Sequence, residues 1–308
     1  MRDSVYVLGS INFDLMIASD RMPEQGETIA GYDYFEAIGG KGGNQAAACA
    51  KLGCDTNLIG SVGNDFHGDL AVKGLESLGV NTKFVKRSQC ESTGKAIIIK
   101  TDNDNRIIIN QGANGDINTD MISAALKNAD QQFFLTQFEM PLEFIYEGLV
   151  IAKEKNMVTV VNPAPAVAVD LKFYNLIDYL IVNQSESEIL TGIFPTTIND
   201  CKKAASILLE RGVKNIVFTL GGKGSIYISK DIILEIKSYP VEVIDTTGAG
   251  DAYIGTMMYG LSNGWGIEKT LTFSSAAGAL ACTKKGAQEA LPTYDELVKF
   301  MTQGGYDE

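Results

Sequence analysis

Residues 132–165 read QFFLTQFEMPLEFIYEGLVIAKEKNMVTVVNPAP, and this stretch decides the fold class. The apolar runs at 132–138 and 157–165 are short and rich in aromatic or β-branched residues, which is typical of buried strands. Residues 141–156 between them have the length and the apolar spacing of a helix. A strand, a helix and a strand in this order predict two parallel strands joined by a right-handed crossover.

The same alternation continues over most of the chain, with glycines at several predicted helix ends. Further strands are predicted at 5–10, 56–63, 179–184, 215–224 and within 224–245, and further helices within 37–53 and at 65–79, 185–192, 199–212, 248–264, 266–286 and 294–301. This order predicts an α/β fold: a Rossmann-like, mostly parallel central sheet with helices on both faces. Ligands of such sheets bind outside the carboxyl ends of the strands.

Two segments, 11–36 and 93–111, do not fit the alternation. The second reads as two β-branched strands around the turn Asp102-Asn103-Asp104-Asn105, which predicts a hairpin. We expect both segments to form a small β-sheet lid that projects from a single domain of residues 1–308.

The composition narrows the possible partners. With 26 Lys and Arg residues against 38 Asp and Glu residues, the net charge is −12, which repels nucleic acid and anionic membranes. No run of roughly 18 apolar residues predicts a membrane span, and the N-terminus lacks a secretory pattern, so we expect a cytoplasmic protein. Five cysteines without a CxxC pair and one histidine argue against a zinc site.

Two common phosphate-binding motifs are missing. The Gly-Lys pairs at 40–41, 94–95 and 222–223 are not followed by Ser or Thr, as a Walker A motif requires. No G-x-G-x-x-G opens a helix after a strand, which argues against a nicotinamide oxidoreductase.

The stretch DTTGAGD, residues 245–251, is the best candidate for phosphate chemistry. The amides of Gly248, Ala249 and Gly250 would lie at a helix start, where the helix dipole favours an anion. Asp251 in the first turn would stay ionised and accept the proton of a hydroxyl that attacks a phosphorus. The alternative interpretation is a helix N-cap, because Asp and Thr favour helix starts.

Other polar groups fall at the same predicted sheet edge. The loop GGKGGN, residues 39–44, has amides and Asn44 for sugar hydroxyls, and Asp14 two residues after Asn12 could accept from a pair of hydroxyls. Glu139 follows a strand and is a further acceptor. Tight or capped turns explain the loop and the Asn12–Asp14 pair equally well.

Two further stretches suit a nucleotide. Asn183 and Glu186 could reach a Mg²⁺-bound water or a phosphate, and the backbone of TLGGKG, residues 219–224, could hold phosphates. The alternatives are a capping box for the first stretch and a β-turn for the second.

Taken together and in this order, these stretches resemble the PfkB-type carbohydrate kinases, in particular their ribokinase-like members. The likeness runs through VLGSINFDLMI, PEQGETIAG, GGKGGNQAAACAKLG, ESTGKAIII, QGAN, VNPAPA, VNQSESEILTG, TLGGKG, DTTGAGDAYIG and TKKGAQ, which cover nearly the whole chain.

The resemblance implies a role for each matching residue. Asp251 would be the catalytic base, and Gly248, Ala249 and Gly250 the anion hole. The sugar would be held by Asn12, Asp14, Gly40, Lys41, Gly42, Asn44, Glu139 and Asp251. ATP would contact Asn183, Thr219, Gly221, Gly222, Gly224, Gly250 and Ser275, with Glu186 organising Mg²⁺. A monovalent cation, usually K⁺, would bind Asp245, Thr247, Ala281, Lys284 and Gly286.

The implied reaction is ATP-dependent phosphorylation of D-ribose at its 5-hydroxyl, in a homodimer that pairs through the lids. A kinase for another small sugar or a nucleoside, and a sugar-binding protein without turnover, are the alternatives. Two departures stand out: Ala290 lies where ribokinase-like members often have Ser, and DAYIG follows the anion hole where DTFNG is often seen.

Overall fold

A computed structural model describes residues 3–101 and 104–303 of the chain, so Asp102 and Asn103 of the predicted turn lie outside the described residues. The strands of the described chain are β1 (Val5–Leu8), β2 (Asn12–Ala18), β3 (Tyr32–Gly39), β4 (Thr56–Gly63), β5 (Asn81–Ser88), β6 (Gly94–Thr101), β7 (Asp104–Asn110), β8 (Phe133–Gln137), β9 (Val158–Asn162), β10 (Tyr179–Asn183), β11 (Asn215–Thr219), β12 (Ser225–Ser229) and β13 (Ile233–Ile236). Its helices are α1 (Lys41–Lys51), α2 (Phe66–Ser77), α3 (Thr119–Ala125), α4 (Leu142–Glu154), α5 (Leu171–Tyr174), α6 (Gln184–Thr191), α7 (Ile198–Glu210), α8 (Ala249–Ser262), α9 (Ile267–Ala281) and α10 (Tyr294–Gln303).

The central sheet has the strand order β13-β12-β11-β10-β9-β8-β1-β4-β5 within the described residues. Its strands pair in parallel from β5 to β11, and only β12 and β13 are antiparallel additions at one edge. The predicted α/β fold with a mostly parallel sheet is confirmed. The strand order reverses at β1, because β4 lies on one side of it and β8 on the other, and such a reversal opens a crevice at the carboxyl ends.

Glycines end several helices as the sequence predicts. Gly53, Gly79, Gly192 and Gly264 follow α1, α2, α6 and α8, and all four have a positive φ between 69° and 97°. A left-handed residue after a helix reverses the chain and lets the last carbonyls find partners, and glycine adopts this conformation without steric cost.

The core lies on both faces of the central sheet. Neighbouring residues of a strand point to opposite faces, and Val7 and Leu8 of β1 accordingly belong to two different apolar clusters, both fully buried. Phe134 of β8 lies in the cluster under α4, and truncating such a side chain to alanine costs about 3–5 kcal/mol. Among the described residues, no helix has the length and apolar character needed to span a bilayer.

A second, smaller sheet has the order β3-β2-β6-β7, with β2 and β6 parallel and the outer pairs antiparallel. It arises from the two segments that break the alternation, although β3 continues to Gly39, beyond the predicted boundary at 36. The extension pairs residues 37–39 with the start of β2, where Asn12 lies opposite both Gly39 and Gly94. The base of the small sheet therefore meets the carboxyl edge of the central sheet.

Candidate active site

The crevice at the strand reversal brings together residues that follow β1 and β8. The Ser10 hydroxyl after β1 donates to Oε2 of Glu139 after β8 at 2.5 Å. The backbone amide of Lys41, at the start of α1, donates to the same oxygen at 2.9 Å. Glu139 therefore lies at the reversal point, as an acceptor held by two donors.

Asp251 lies in the first turn of α8 and is buried. Its Oδ2 accepts a hydrogen bond of 3.1 Å from the Asn44 side chain, and its Oδ1 accepts one of 3.0 Å from Gln45. Each carboxylate oxygen thus has one amide donor. Asn44, expected on the sugar side, is therefore in direct contact with the predicted base.

Helix α8 begins at Ala249, after Gly248. Gly248 has a φ of 76°, and a Cβ there would lie 3.0 Å from the Ala287 backbone, so the position requires glycine. At Gly250, a Cβ would meet no heavy atom within 4 Å, so this side of the turn is open. An anion at the open side would meet the positive end of the helix dipole.

The three amides predicted for the anion hole are not equivalent. The Ala249 amide already donates to the Thr246 carbonyl at 3.2 Å and closes the turn before α8. The amide of Gly250 lies in the first turn of α8, whose amides have no carbonyl partner within the helix.

Asp14 and Asn12 lie on β2, at the base of the small sheet. Asn12 Oδ1 accepts from the Asn114 side chain at 2.7 Å, whereas Asp14 Oδ1 is buried and has no hydrogen-bond partner. Burial, followed by the nearby charges of Glu139, Asp251 and Glu289, raises the pKa of Asp14 from 3.8 to about 7. An unpaired buried oxygen is costly to retain, and it suits a ligand that brings hydroxyl donors.

The glycines of the 39–44 loop allow backbone segments to approach closely. Gly40 has a φ of 86°, and a Cβ there would lie 2.7 Å from the Asn12 amide nitrogen. A Cβ on Gly42 would lie 2.4 Å from the carbonyl carbon of Gly9, so α1 starts directly against the end of β1. The tight turn predicted as one alternative is present, and it also brings Lys41 and Asn44 to the crevice.

The Lys41 side chain lies among carboxylates. Burial acts to lower its pKa, but the charges of Asp251, Glu139 and Glu186 outweigh burial, and the pKa of Lys41 is raised above its ordinary value. Lys41 therefore remains a cation in a site that is otherwise acidic.

Asn183 and Glu186 form the predicted capping box at the start of α6. Asn183 Oδ1 accepts from the Glu186 amide at 2.8 Å, and Glu186 Oε2 accepts from the Asn183 amide at 2.9 Å. Burial raises the pKa of Glu186, against the hydrogen bond from Asn183 and the charge of Lys41. Both residues also line a cavity of about 250 Å³ together with Asp251. Carboxylate and amide oxygens are ligands that suit Mg²⁺, directly or through water.

A larger cavity of about 610 Å³ adjoins the first one. Of the residues expected to contact a nucleotide, its lining includes Asn183, Thr219, Gly221, Gly222, Gly224, Gly250 and Ser275. Apolar side chains that the sequence did not single out complete the wall, among them Pro240, Val241, Val243 and Ala279. Apolar walls with a few polar groups are typical of small-molecule sites.

The two cavities meet at the start of α8. Asn183, Thr219, Thr246 and Gly250 line both of them, and Asp251 lines only the smaller one. A ligand in the larger cavity can therefore extend past Gly250 toward the Asp251 carboxylate.

The residues expected to bind a monovalent cation lie in the loop before α8 and in the segment that runs from the end of α9 to Gly286, and these two segments contact each other. The Asp245 amide donates to the Cys282 carbonyl at 3.2 Å, and the Gly286 amide donates to Asp245 Oδ2 at 3.3 Å. Burial acts to raise the pKa of Asp245, but hydrogen bonds from Thr247 and Gly286 outweigh burial and the pKa is lowered. A carboxylate that stays charged suits a cation.

Two features limit the number of oxygen atoms that are available to a cation at this site. The Ala281 carbonyl accepts from the Lys284 amide at 3.2 Å, so it is already in use. Ala290 is fully buried and offers no side-chain oxygen.

Several polar residues at the site were missed by sequence reasoning. Asn162 at the end of β9, Gln45 beside Asn44, and Asn114 after β7 all contact predicted site residues or line a cavity. Asn162 ends a strand at the ligand-binding edge, which is a signal that could have identified it. Asn114 lies within QGAN, quoted only as part of the resemblance.

Comparisons with known proteins identify the family of the chain. A family model described as pfkB family carbohydrate kinase matches residues 2–294. The ribokinase of Haemophilus influenzae is 35% identical over 303 residues, which cover 98% of this chain and 99% of that protein. The deoxyribokinase of Salmonella typhi is 32% identical over 301 residues, which cover 97% of this chain and 98% of that protein.

The fold also matches a solved relative. The structure of Arabidopsis thaliana ribokinase complexed with ribose and ATP has a TM-score of 0.91 and 30% sequence identity, and the match covers 98% of this chain and 99% of that one. The sequence resemblance is therefore correct at the level of the family. With a family model that spans residues 2–294 and relatives that match almost end to end, the chain belongs to the pfkB family of carbohydrate kinases and is a phosphotransferase that acts on a hydroxyl group.

Proposed function

We propose that the protein transfers the γ-phosphoryl group of ATP to the 5-hydroxyl of D-ribose and releases ribose 5-phosphate and ADP. The observation that carries this proposal is the position of Asp251, whose carboxylate lines the smaller cavity just beyond the Gly250 side of the larger one. The printed names of the relatives, ribokinase above all, support ribose as the sugar.

In the proposed step, the 5-hydroxyl oxygen attacks the γ-phosphorus and its proton moves to Asp251. A new P–O bond forms to the sugar, and the bond to the bridging oxygen of ADP breaks. A positioned general base contributes about 10²–10⁴-fold to such a step.

The negative charge of the transferring group would be met from two sides. The amides at the start of α8, with Gly248 and Gly250 on either side of the engaged Ala249 amide, would form the anion hole. Lys41 would supply a formal positive charge from the sugar side. Fixed donors of this kind stabilise a transition state because they need no reorganisation during the reaction.

The sugar would be held at the base of the small sheet. We assign its contacts to Asn12, Asp14, Gly40, Lys41, Gly42, Asn44 and Glu139. Asp14 would select the sugar, because its buried Oδ1 lacks a hydrogen-bond donor that a sugar hydroxyl can supply. Hydroxyls that donate to the charged form would also lower the raised pKa of Asp14 toward its ordinary value. In a ribofuranose the neighbouring hydroxyl pairs, at carbons 1 and 2 and at carbons 2 and 3, both include the 2-hydroxyl.

ATP would occupy the larger cavity, with its phosphates extending over Gly221, Gly222 and Gly224 toward Gly250. A Cβ on Gly221 or Gly222 would meet no heavy atom within 4 Å, so these glycines leave room for a ligand. Bound Mg²⁺ would neutralise phosphate charge, and Glu186 with Asn183 would hold it through water. Thr219 and Ser275 would complete the nucleotide contacts.

We further propose that K⁺ binds between the loops that contain Asp245, Thr247, Ala281, Lys284 and Gly286. Its charge would offset Asp245 and hold the turn before α8 in place. Ala290 supplies no hydroxyl there, so the ion would depend on carbonyl oxygens and water.

The small sheet would act as a lid on a single domain and pair with the lid of a second copy. Phe35, Ile107 and Ile109 are 44%, 57% and 51% exposed, and their register places them on the sheet face that carries Asp14. Covering this face would bury apolar surface and exclude water from the sugar. We place the homodimer in the cytoplasm, where ATP is present. All five cysteines lie in the described chain and none forms a disulfide, which fits a reducing compartment.

The test of the proposed function is ADP release with a panel of sugars and nucleosides. D-ribose is expected to have the highest kcat/KM, above 2-deoxyribose, fructose and adenosine. The Salmonella typhi deoxyribokinase makes 2-deoxyribose the main competitor. A higher kcat/KM for any competitor would overturn the ribose assignment, and sugar binding without ADP release would overturn the kinase assignment.

A further inference from the structure

A row of buried amide side chains runs behind Asp251. Gln45 Nε2 donates to Asp251 Oδ1 at 3.0 Å and to Asn162 Oδ1 at 3.2 Å. Gln137 Nε2 donates to Gln45 Oε1 at 2.7 Å. The three amide residues come from α1, β8 and β9, and all are buried.

The direction of this row follows from one backbone carbonyl. Asn162 Nδ2 donates to the Ile181 carbonyl at 3.1 Å, and a carbonyl can only accept. Asn162 must therefore present its oxygen to Gln45, and Gln45 must present its nitrogen to both Asn162 and Asp251. The side-chain nitrogen of Gln137 donates to the side-chain oxygen of Gln45, the one remaining polar atom of that amide.

As a result, Gln45 uses both hydrogens of its amide nitrogen and its oxygen, and it has no second orientation of equal energy. Asn44 holds the other oxygen of Asp251, and the Gln288 side chain donates to Asn44 Oδ1 at 3.1 Å. Both carboxylate oxygens are thus anchored by amides whose orientation is set elsewhere. The plane of the Asp251 carboxylate is fixed before a substrate arrives.

We propose that Gln45, oriented by Asn162 and Gln137, is a positioning residue for the base Asp251. It holds the carboxylate plane so that a free lone pair faces the cavity where the attacking hydroxyl binds. This inference rests on the proposed function, because it needs Asp251 to act as the base. A buried row of amides that only fills space would have no effect on turnover beyond its effect on folding.

The first test is Gln45→Met, which keeps the length of the side chain and removes the donor. A small displacement of a catalytic group costs up to about 100-fold in rate, so we expect kcat to fall by about 10- to 100-fold. The KM and Kd for ribose should change by less than about threefold. Asn57→Leu, which removes a buried amide near the start of β4, is the control for burial and is expected to retain kcat.

A second variant, Gln45→Glu, is tested by the pH dependence of its activity, which a change in packing alone would not alter. It places a second carboxylate against Asp251, and two carboxylates in contact do not both ionise at neutral pH. At saturating ribose, the kcat of this variant is expected to be low at pH 7 and to recover in part as the pH rises, more steeply than the kcat of wild type.

A third variant protects the test against misfolding. Gln137→Met does not touch Asp251. It removes a buried Oε1 that has no hydrogen-bond partner, which offsets the loss of the donor to Gln45 Oε1, and thermal unfolding is measured beside kcat. Its kcat is expected to fall by less than that of Gln45→Met, because only the orientation of Gln45 is loosened.

Asp251→Asn, measured in parallel, separates this inference from the proposed function. If Asp251→Asn is inactive while folded Gln45→Met keeps kcat within twofold of wild type, the positioning role is wrong and the base stands. If Asp251→Asn itself keeps near-normal turnover, the proposed base is wrong, and the positioning role is overturned with it.

Discussion

Ser10 and Glu139 are 129 positions apart in the chain, yet the Ser10 hydroxyl donates a hydrogen bond of 2.5 Å to the Glu139 carboxylate. Ser10 follows β1 and Glu139 follows β8, so this bond joins the two strands between which the sheet order reverses. The Lys41 amide completes the junction from the start of α1. The floor of the proposed sugar site is therefore assembled from three distant segments before a ligand binds.

Asp251→Asn should abolish turnover without abolishing sugar binding. The amide keeps the size of the side chain but cannot accept a proton, so we expect kcat to fall by about 10³-fold. Calorimetry should give a ribose Kd within a few-fold of wild type. Asp69→Asn, in the first turn of α2, is the matched control, and a kcat above a tenth of wild type in Asp251→Asn would refute the base.

Asp14→Ala should remove the preference for ribose over 2-deoxyribose. In wild type, a sugar that leaves a buried charged acceptor unpaired should lose about 10- to 100-fold in kcat/KM. In the variant that acceptor is gone, so the two sugars should differ by less than about threefold. Steady-state ADP release measures both ratios, and an unchanged preference would assign the discrimination to another residue.

Asp14→Asn should stabilise the empty protein, and more so at high pH. The pKa of Asp14 is about 7 when folded against 3.8 ordinarily, so the folded state holds an extra proton between these values. Wild-type stability therefore declines as pH rises through that window, and the full cost is present above pH 7. Asn has no such cost.

Thermal unfolding at pH 5 and pH 8 measures this effect. The advantage of Asp14→Asn should grow between the two conditions by on the order of 2 kcal/mol. The exposed Asp120→Asn in α3 is the control. An advantage that is equal at both pH values would contradict the raised pKa.

Ile107→Lys should separate the proposed dimer. Ile107 is 57% exposed on the small sheet, and a lysine there would place a charge in the interface. Light scattering after gel filtration should give twice the chain mass for wild type and the chain mass for the variant, with a higher KM for ribose. Ile233→Lys, at a 46% exposed position of β13, should remain dimeric. A monomeric wild type would rule out this interface.

K⁺ should activate the enzyme, and Ala290→Ser should lower the K⁺ concentration needed. The family resemblance places residue 290 beside the cation loop, so a hydroxyl at this buried position would add an oxygen there. Activity is measured against K⁺ with tetramethylammonium keeping the ionic strength constant. Equal rates in both salts would remove the cation from the proposal.

The architecture could be predicted because its determinants are local. The apolar periodicity that predicts β8, α4 and β9, and the glycines that end helices, can each be recognised within a few consecutive residues. Strand β5 was missed because NTKFVKRS contains three basic residues and lies at the edge of the sheet, where one side faces solvent.

The site could be predicted only in part, for a physical reason. Asp251 and the glycines before it occur together in one short stretch. Gln45 is 92 positions from Gln137 and 117 positions from Asn162, and only the packing of α1 against the sheet brings its amide into hydrogen-bond distance of both. The hydrogen bond from the Ala249 amide to the Thr246 carbonyl depends on the backbone conformation of a turn, which the residue types alone do not determine.

Gly250 has an ordinary backbone conformation and empty space on its open side. The folded chain itself therefore does not require a glycine there, whereas the phosphate of the proposed reaction would. We expect Gly250→Ala to fold like wild type and to be impaired in phosphoryl transfer. A measurement of stability would therefore not reveal the role of this residue, and only a measurement of phosphoryl transfer would.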